Sequence, residues 1–274
     1  MLRLWVNGEL KTDPDQPAIS PLDHGITVGD GVFETVKVTD GVPFALTRHL
    51  ERLRASATGL GLPEPDLEFA RRGVAEILES WSVPRARMRI TYTGGPAPLG
   101  SERGDSSPTL LVAVAEMPER PETTAVVTVP WTRNERGALT GLKTTSYAEN
   151  VRALAYAAER GCSEAIFGNT VGDLCEGTGS NIFVVVDGRL LTPPLSSGCL
   201  AGITRALVLE WYGGDETDLP LSVLDEADEV FLTSTTRDVQ AVHAVDGRRL
   251  KAPGAHTVKV AATFAERAAA TPDP

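Results

Sequence analysis

The sequence predicts a mixed α/β fold of the α+β class. Apolar residues recur at helical spacing in several segments, and short β-like runs joined by Asp-Gly pairs lie between them, with no internal repeat. With 274 residues, of which 42% are hydrophobic, the chain can bury a sizeable core. It is long enough for one large domain or two smaller ones.

Three hairpins are expected where an Asp-Gly pair separates two β-like runs. These stretches are VKVTDGVPFAL, FVVVDGRLLT and VHAVDGRRLK. Asp and Gly both tolerate the positive φ angles of a type I′ turn, and this turn matches the twist of a two-stranded hairpin.

The apolar stripes predict helices at 47–60, 66–81, 148–160, 202–211 and 256–269. In the helix near 148, the predicted buried stripe is Val151, Leu154, Ala155 and Ala158. In the first helix it is Leu46, Leu50, Leu53, Ala57 and Leu60. Arg52 falls beside this second stripe, whereas Arg54 points away from it.

A Pro- and charge-rich segment, PERPET, divides the chain. We place a linker at 118–123, between a small α+β domain at 1–117 and a larger domain at 124–274 that carries Lys143. Ahead of the linker, the strand RMRITYT runs into GGPAPLGSERGDSSP. The Gly, Pro and Ser content of that stretch predicts a long loop, and long loops in compact domains are often functional.

Charge and composition exclude several classes of protein. The net charge is −11 and no basic face is evident, which disfavours nucleic-acid binding. No apolar run has membrane-spanning length, and no signal segment follows Met1. The three cysteines form no close-spaced metal or redox motif and suit reduced thiols. The expectation is a cytoplasmic protein without a metal.

Lys143 lies at the end of a β-like segment, in GLKTTSYAEN, with few acidic residues nearby to hold its charge. A lysine that forms a Schiff base must lose its proton easily, and a partly desolvated, electropositive pocket favours that loss. The alternative is an exposed loop lysine.

Three further segments carry polar groups that a ligand could use. In CEGTGSNIF, Glu176 precedes glycines that permit close backbone approach. In LAGITRALV, a helix start beside Thr204 offers N–H groups to a phosphate. In LTSTTRDV, consecutive hydroxyls end a strand. Singly, each is equally compatible with an ordinary loop acid, helix cap or turn.

Together, these segments resemble one family. VGDGVFETVKVTDG, HLERL, LKTTSYAEN, CEGTGSNIF, LAGITRALV and LTSTTRDV occur in the order, and at roughly the spacing, of the fold-type-IV pyridoxal-phosphate enzymes, the class IV aminotransferases. The resemblance runs nearly end to end. It implies a small N-terminal α+β domain, a larger β-rich C-terminal domain, and a cleft between them for pyridoxal 5'-phosphate. It also implies a homodimer or a larger assembly.

The resemblance also implies roles for individual residues. Lys143 matches the lysine that binds the cofactor covalently and acts as general base on the substrate α-carbon. Glu176 matches the acid that pairs with the pyridinium nitrogen and keeps the ring an electron sink. The positions that match the phosphate-binding residues are Arg52, Ile203, Thr204, Ser234 and Thr235.

Within the family, VGDGVFETVKVTDG and EVFLTSTTRDVQAVHAVDGRRL look closest to D-amino-acid transaminases. Two departures concern the substrate carboxylate. Phe33 stands where those enzymes place a tyrosine, and Pro98 and Gly100 fall where they place the arginine and histidine that grip the carboxylate. The carboxylate must therefore be held differently, or not strongly.

Arg87 and Arg89 are the main candidates to hold the carboxylate. They alternate along a strand and so share one face, and a guanidinium fork suits a carboxylate. The alternative is a solvated outer face of a half-buried sheet. His24 and Arg103 are further candidates.

The predicted function is a transaminase of D-amino acids with a 2-oxo acid acceptor, open to (R)-primary amines as well. One alternative is a 4-amino-4-deoxychorismate lyase, which eliminates pyruvate instead of exchanging an amino group. A second is a branched-chain L-amino acid transaminase. A non-catalytic cofactor-binding scaffold is disfavoured, because such a protein needs neither Lys143 nor Glu176.

Overall fold

Two units, each built on its own β-sheet, make up the chain in a computed structural model that describes residues 1–11, 13, 15–79, 81–105 and 107–274. The first unit comprises Met1–Glu119, Leu142–Tyr147 and Pro272–Pro274. The second comprises Arg120–Gly141 and Ala148–Thr271. The fold is α+β, as predicted.

The first unit contains six strands and three helices in the part of the chain that is described. They are β1 (Leu2–Val6), β2 (Glu9–Lys11), α1 (His24–Thr27), β3 (Gly31–Thr39), β4 (Val42–Pro43), α2 (Leu46–Gly59), α3 (Leu67–Leu78), β5 (Arg85–Thr93) and β6 (Thr109–Glu116). The strands form an antiparallel sheet in the order β2-β1-β6-β5-β3-β4.

One face of this sheet packs against α2 and α3. Side chains alternate along a strand, so β3 turns Val32, Val36 and Val38 into the core. The predicted α2 stripe is confirmed, because Leu46, Leu50, Leu53 and Ala57 are buried there and Leu60 packs against the same cluster. The opposite face of β3 and β5 carries Phe33, Arg87 and Arg89 in register.

The second unit is larger and its sheet is mixed. Its elements are β7 (Thr123–Arg133), α4 (Ala148–Ala158), β8 (Glu164–Asn169), β9 (Leu174–Gly177), β10 (Asn181–Val186), β11 (Arg189–Thr192), α5 (Ile203–Trp211), β12 (Asp215–Glu216), α6 (Val223–Glu226), β13 (Glu229–Ser234), β14 (Asp238–Val245), β15 (Arg248–Arg249) and α7 (Ala255–Ala270). The strand order is β12-β11-β10-β13-β14-β7-β8-β9, and β15 pairs with β14.

The three predicted hairpins are present, as β3–β4, β10–β11 and β14–β15. In each, Asp and Gly both have positive φ, for example 49° at Asp40 and 80° at Gly41. A fourth hairpin, β1–β2, turns at Asn7 and Gly8 with φ of 47° and 96°. The Asn-Gly pair has the same turn chemistry, and the sequence analysis did not use it.

The predicted helices are confirmed to within a few residues, but the buried face of α4 was wrong. Val151 and Leu154 are 64% and 43% exposed, whereas Ala153 and Ala157 are buried against Phe167 and its neighbours in β7 and β8. Small side chains let a helix approach a sheet closely, so the alanine face packs inward. The larger apolar residues misled the assignment.

The segment around Lys143 belongs to the first unit, whereas the sequence placed it in the second domain. Residues 142–147 belong to the first unit because their backbone forms hydrogen bonds with the start of β3. The N–H of Phe33 donates to the carbonyl of Lys143 at 2.9 Å, and the N–H of Thr145 donates to the carbonyl of Gly31 at 2.7 Å. No helix in the described residues has the length and apolar character needed to cross a membrane.

Gly73 provides a test of the packing in the first unit. A Cβ at this position of α3 would stand 2.8–2.9 Å from three ring atoms of Trp5, which is fully buried. Helix propensity alone predicts that Gly→Ala stabilises by about 1 kcal/mol. We expect Gly73→Ala to lower the free energy of unfolding instead, by about 1–3 kcal/mol, because the core is overpacked.

Urea unfolding followed by circular dichroism would measure the change. Ala75→Gly, on the exposed side of the same helix, is the control and should cost about 1 kcal/mol from propensity alone. An increase in stability for Gly73→Ala would contradict the contact with Trp5.

Candidate active site

The backbone around Lys143 is fixed on both sides within the first unit. Its N–H donates to Ser56 Oγ of α2 at 3.2 Å, and its carbonyl accepts from Phe33 of β3. Thr144 forms an isolated bridge with Val32. Lys143 is half-buried, so its side chain starts from an anchored backbone and is not on a mobile loop.

The Lys143 side chain approaches an aromatic ring that an arginine also covers. Nζ lies 4.5 Å from the ring centroid of Phe33, and the Arg89 guanidinium lies 3.7 Å from the same centroid. Tyr147 meets Phe33 edge-on, with centroids 5.2 Å apart. Partial loss of solvent lowers the pKa of Arg89, which remains positively charged. An amine and a guanidinium therefore share one aromatic surface.

The other candidates for the carboxylate lie in different surroundings. Arg87 is exposed, as Arg89 is, but it pairs with Lys37 across the sheet, one step further along β5 from Phe33. His24 is fully buried, and its Nε2 lies 2.9 Å from the Pro98 carbonyl. Arg103 binds Asp30 with two nitrogens, each at 2.7 Å. His24 and Arg103 therefore hold the 94–108 loop against the unit.

In the first unit, a buried carboxylate fixes the position of Arg52, the candidate phosphate-binding residue. Glu34 on β3 is fully buried and accepts from Arg52 Nε and Nη2, both at 2.7 Å. It also lies 2.7 Å from His49 Nδ1. Burial alone would raise the pKa of Glu34, but Arg52 and His49 lower it to about 2. The bidentate pair fixes the plane of the Arg52 guanidinium, while Arg54 is exposed and binds Glu51.

The sequence analysis missed Glu34 and His49, although a signal was present. Strand alternation puts Glu34 on the same face as Val32 and Val36, which makes it an acid inside an apolar stripe. Such an acid needs a buried partner. His49 and Arg52 stand three residues apart on α2 and supply it.

In the second unit, Glu176 ends β9 with both carboxylate oxygens engaged. Oε2 accepts from the N–H of Leu200 at 2.9 Å, and Oε1 lies 3.4 Å from Arg133 Nε. Arg133 is itself held, because it stacks over Phe167 at 4.2 Å and donates to Glu149 at 2.6 Å. Arg133 and the N–H of Leu200 therefore fix the position of the Glu176 carboxylate.

The other candidate phosphate groups lie in the same unit. Ile203 and Thr204 are buried at the start of α5, where no described side chain caps the helix after Gly202. Ser234 and Thr235 are half-buried at the end of β13. The hydroxyl of Thr233, just before them, is buried without a hydrogen-bond partner among the described residues. Uncapped helix N–H groups and an unpaired hydroxyl suit an oxyanion such as phosphate.

These residues fit the cofactor that the sequence resemblance implies. The first unit offers a half-buried amine for a Schiff base and a fixed guanidinium for a phosphate. The second offers a fixed carboxylate for a pyridinium nitrogen, together with an uncapped helix start. Each is the donor or acceptor type that the corresponding part of pyridoxal phosphate requires.

Comparison with known proteins agrees with this chemistry. A family model described as Amino-transferase class IV matches residues 31–245. The chain is 34% identical over 257 residues to a Methanocaldococcus jannaschii protein assigned as a branched-chain-amino-acid aminotransferase, covering 90% of this chain and 89% of that one. It is 31% identical over 277 residues to the bifunctional aminodeoxychorismate lyase / D-amino acid transaminase of Mycobacterium tuberculosis, covering 89% and 91%.

A solved structure agrees along nearly the whole length. The PLP-bound form of an aminotransferase from Mycobacterium tuberculosis superimposes with a TM-score of 0.87 at 30% identity, over 99% of this chain and 100% of that chain. Because the family model spans most of the chain and the fold agrees, the protein belongs to the class IV aminotransferases, which use pyridoxal 5'-phosphate as cofactor.

Proposed function

We propose that the protein is a transaminase that takes the amino group from D-amino acids, passes it to a 2-oxo acid, and also accepts (R)-primary amines. The observation that carries the proposal is the stacking of Arg89 on Phe33, the same ring that Lys143 approaches. An amino donor and a 2-oxo acid acceptor follow from membership of the family. The D-configuration and the amine are the proposed part.

Lys143 is the proposed covalent attachment point and general base. In this role Nζ would take the proton from the α-carbon of the amino donor and hold it on that face of the substrate for the transfer that completes the exchange of the amino group. The ring of Phe33, whose centroid lies 4.5 Å from Nζ, limits the water around the amine on one side.

The remaining cofactor residues are proposed to bind the phosphate and to keep the ring nitrogen protonated. Arg52, Ile203, Thr204, Ser234 and Thr235 hold the phosphate. Glu176 keeps a proton on the ring nitrogen, with Arg133 beside it keeping the carboxylate ionised. When bound, pyridoxal phosphate supplies an electron sink that stabilises the negative charge left at the α-carbon.

Arg89 is the proposed partner of the substrate carboxylate. Its guanidinium and the Lys143 amine lie no more than about 8 Å apart, since both are near one ring centroid. This span suits a small amino acid, in which the carboxylate is bonded directly to the α-carbon. Phe33 carries no hydroxyl, so the carboxylate depends mainly on Arg89 and a substrate without a carboxylate loses little.

The D-configuration is proposed from geometry and resemblance. Lys143 reaches one face of the substrate, so the position of the carboxylate decides which enantiomer directs its α-proton at the base. The segments around Phe33 and Ser234 are most similar to D-amino-acid transaminases, and one relative carries that activity together with a lyase activity. That relative makes aminodeoxychorismate lyase the second candidate.

The assembly and the compartment complete the proposal. We propose a homodimer, by analogy with the family, in the cytoplasm. Cys162, Cys175 and Cys199 are free thiols, and burial, then Glu176, raises the pKa values of Cys175 and Cys199. Thiols that stay protonated are compatible with a reducing compartment.

The first test concerns Lys143. Borohydride should fix the cofactor to the protein, and peptide mapping should find the adduct on the peptide that contains Lys143. Lys143→Ala should still bind cofactor and lose turnover by several orders of magnitude, because both the attachment point and the base are gone. An adduct on Lys37 or Lys259 would remove Lys143 from this role.

The second test concerns Arg52. Arg52→Lys keeps a positive charge beside Glu34 but loses the bidentate fork. We expect the dissociation constant of pyridoxal phosphate to rise roughly tenfold, which is about 1.4 kcal/mol. Arg54→Lys, on the exposed side of α2, is the matched control and should bind like the parent. Equal affinity in both variants would exclude Arg52 as a phosphate ligand.

The third test concerns Arg89. Removing a charge-assisted hydrogen bond of about 1.5–3 kcal/mol should raise KM for D-alanine roughly 10- to 100-fold in Arg89→Met. The rate with (R)-1-phenylethylamine should change little. Arg87→Met, on the same strand face, is the control and should leave both substrates unaffected.

The substrate class is measured by half-reactions of the holoenzyme with D- and L-amino acids, followed in the visible spectrum. Conversion by D-alanine or D-glutamate, and much slower conversion by L-alanine, is the expected result. If no D-amino acid reacts and aminodeoxychorismate yields 4-aminobenzoate and pyruvate, the lyase is correct. Fastest reaction with L-branched-chain substrates would reverse the proposed orientation of the carboxylate.

A further inference from the structure

Glu164 and Arg237 form a buried ion pair in the second unit. Glu164 lies outside every segment that the sequence assigned to the site, whereas Arg237 lies in LTSTTRDV. Their side chains are 3% and 6% exposed, and Arg237 Nη2 lies 3.3 Å from Glu164 Oε2. Removing two charges from water costs several kcal/mol per ion unless further hydrogen bonds satisfy them. The groups that make those further hydrogen bonds therefore show which chain segments the ion pair holds in place.

Glu164, at the start of β8, holds the turn that follows Glu176. Its Oε1 accepts from the N–H of Thr178 at 3.0 Å and also from the Thr178 hydroxyl. Its Oε2 accepts from Ser180 Oγ at 2.9 Å. A Cβ at Gly177 would stand 3.1 Å from Glu164 Cγ and Cδ. The glycine directly after Glu176 thus leaves the space that this carboxylate occupies.

Arg237 holds the turn that carries Ser234 and Thr235. Its backbone N–H donates to Ser234 Oγ at 3.2 Å, which closes the turn between β13 and β14. Its guanidinium donates to the carbonyl of Ser163 at 3.0 Å and to Gln240. One arginine therefore links the β13–β14 turn to the residue just before β8.

Two backbone paths join these turns: β10 pairs regularly with β13 as far as Asn181 opposite Thr233, whereas the path through β14, β7 and β8 is irregular. Strand β7 lies between β14 and β8 in the sheet. The pairing register shifts between Val242 and Ala244 on one side of β7, and between Thr128 and Thr132 on the other. Such bulges locally disrupt the ladder. The regular ladder ends at Asn181 and Thr233, so the side-chain bridge fixes the turn residues that lie beyond its end.

We infer that Glu164 and Arg237 are positioning residues that set the distance between the acid Glu176 and the phosphate-binding hydroxyls of Ser234 and Thr235. This inference rests on the proposed function, in which both segments serve one cofactor. Neither side chain is proposed to touch the cofactor or the substrate. Small misplacements of binding groups are costly, which gives the pair its effect.

The test is a double-mutant cycle on cofactor affinity and on the stability of the apoprotein. Glu164→Gln keeps hydrogen-bonding capacity but removes the charge, and Arg237→Met removes the partner while keeping much of the side-chain bulk. We expect each single variant to raise the dissociation constant of pyridoxal phosphate roughly tenfold or more and to lower kcat, with KM for the amino donor nearly unchanged. The double variant should lose less than the product of the two single losses, because the residues act as a pair.

One further variant and two control variants keep the test decisive. Arg237→Lys should restore part of the affinity lost in Arg237→Met, and it reports on the pair if Glu164→Gln does not fold. The control is the exposed ion pair of Arg189 and Asp215, at 2.9 Å with side chains 68% and 61% exposed. Arg189→Met and Asp215→Asn should leave affinity and kcat as in the parent.

The outcomes separate this inference from the proposed function. If the parent apoprotein binds pyridoxal phosphate and the variants bind it equally well, a lower melting temperature alone would make the pair merely structural and overturn the inference. Additive losses in the cycle would overturn it as well. If the parent itself fails to bind pyridoxal phosphate, the proposed function fails, and this inference fails with it.

Discussion

Buried carboxylates need hydrogen-bond donors, and this need organises both units. Glu34 in the first unit brings α2 against β3 because Arg52 and His49 supply its donors. In the second unit Glu164 gathers Thr178 and Ser180. An ionised carboxylate inside a protein is strongly unfavourable when unpaired, so the chain segments that satisfy it are held in fixed positions. Those segments carry the candidate cofactor residues.

A third buried acid, Glu229, shows that the same kind of pairing can have a purely structural role. Glu229 accepts from the backbone N–H groups of His256 and Thr257 at the start of α7, at 3.0 and 2.8 Å. Burial opposes its ionisation, but these donors lower its pKa, and the negative charge suits the positive end of the helix. Gly254 has no room for a Cβ beside this carboxylate. Acids at element ends thus explain glycines that carry no functional role.

Phe33, beside Lys143, changes how the substrate carboxylate is bound in the proposed function. Phe33 offers an apolar ring where a tyrosine would offer a hydroxyl, and two cations occupy that ring. An aromatic face attracts cations, so the ring can orient both an arginine and a lysine without a hydrogen bond. In the proposed function, the recognition of the substrate carboxylate moves from a loop, where Pro98 and Gly100 lack suitable groups, to a strand, which is more rigid.

Much of the molecule follows from local rules that the sequence expresses directly. Asp-Gly turns set the hairpins, helical stripes set the helices, and the order of the motifs makes Lys143 and Glu176 the candidate site residues. These features depend on neighbours in the chain, so their signals survive without the fold. Glu34 inside an apolar stripe was readable in the same way.

Tertiary structure decided what depends on contacts between distant segments. The alanine face of α4 packs inward because small side chains let the helix approach Phe167 closely. The size of the apolar residues on the other face does not decide which face is buried. Lys143 joins the first unit because its backbone completes hydrogen bonds with β3, although 110 positions separate it from Phe33. The pairing of Glu164 with Arg237 left no sequence signal, because each looks like an ordinary charged residue until the sheet brings them together.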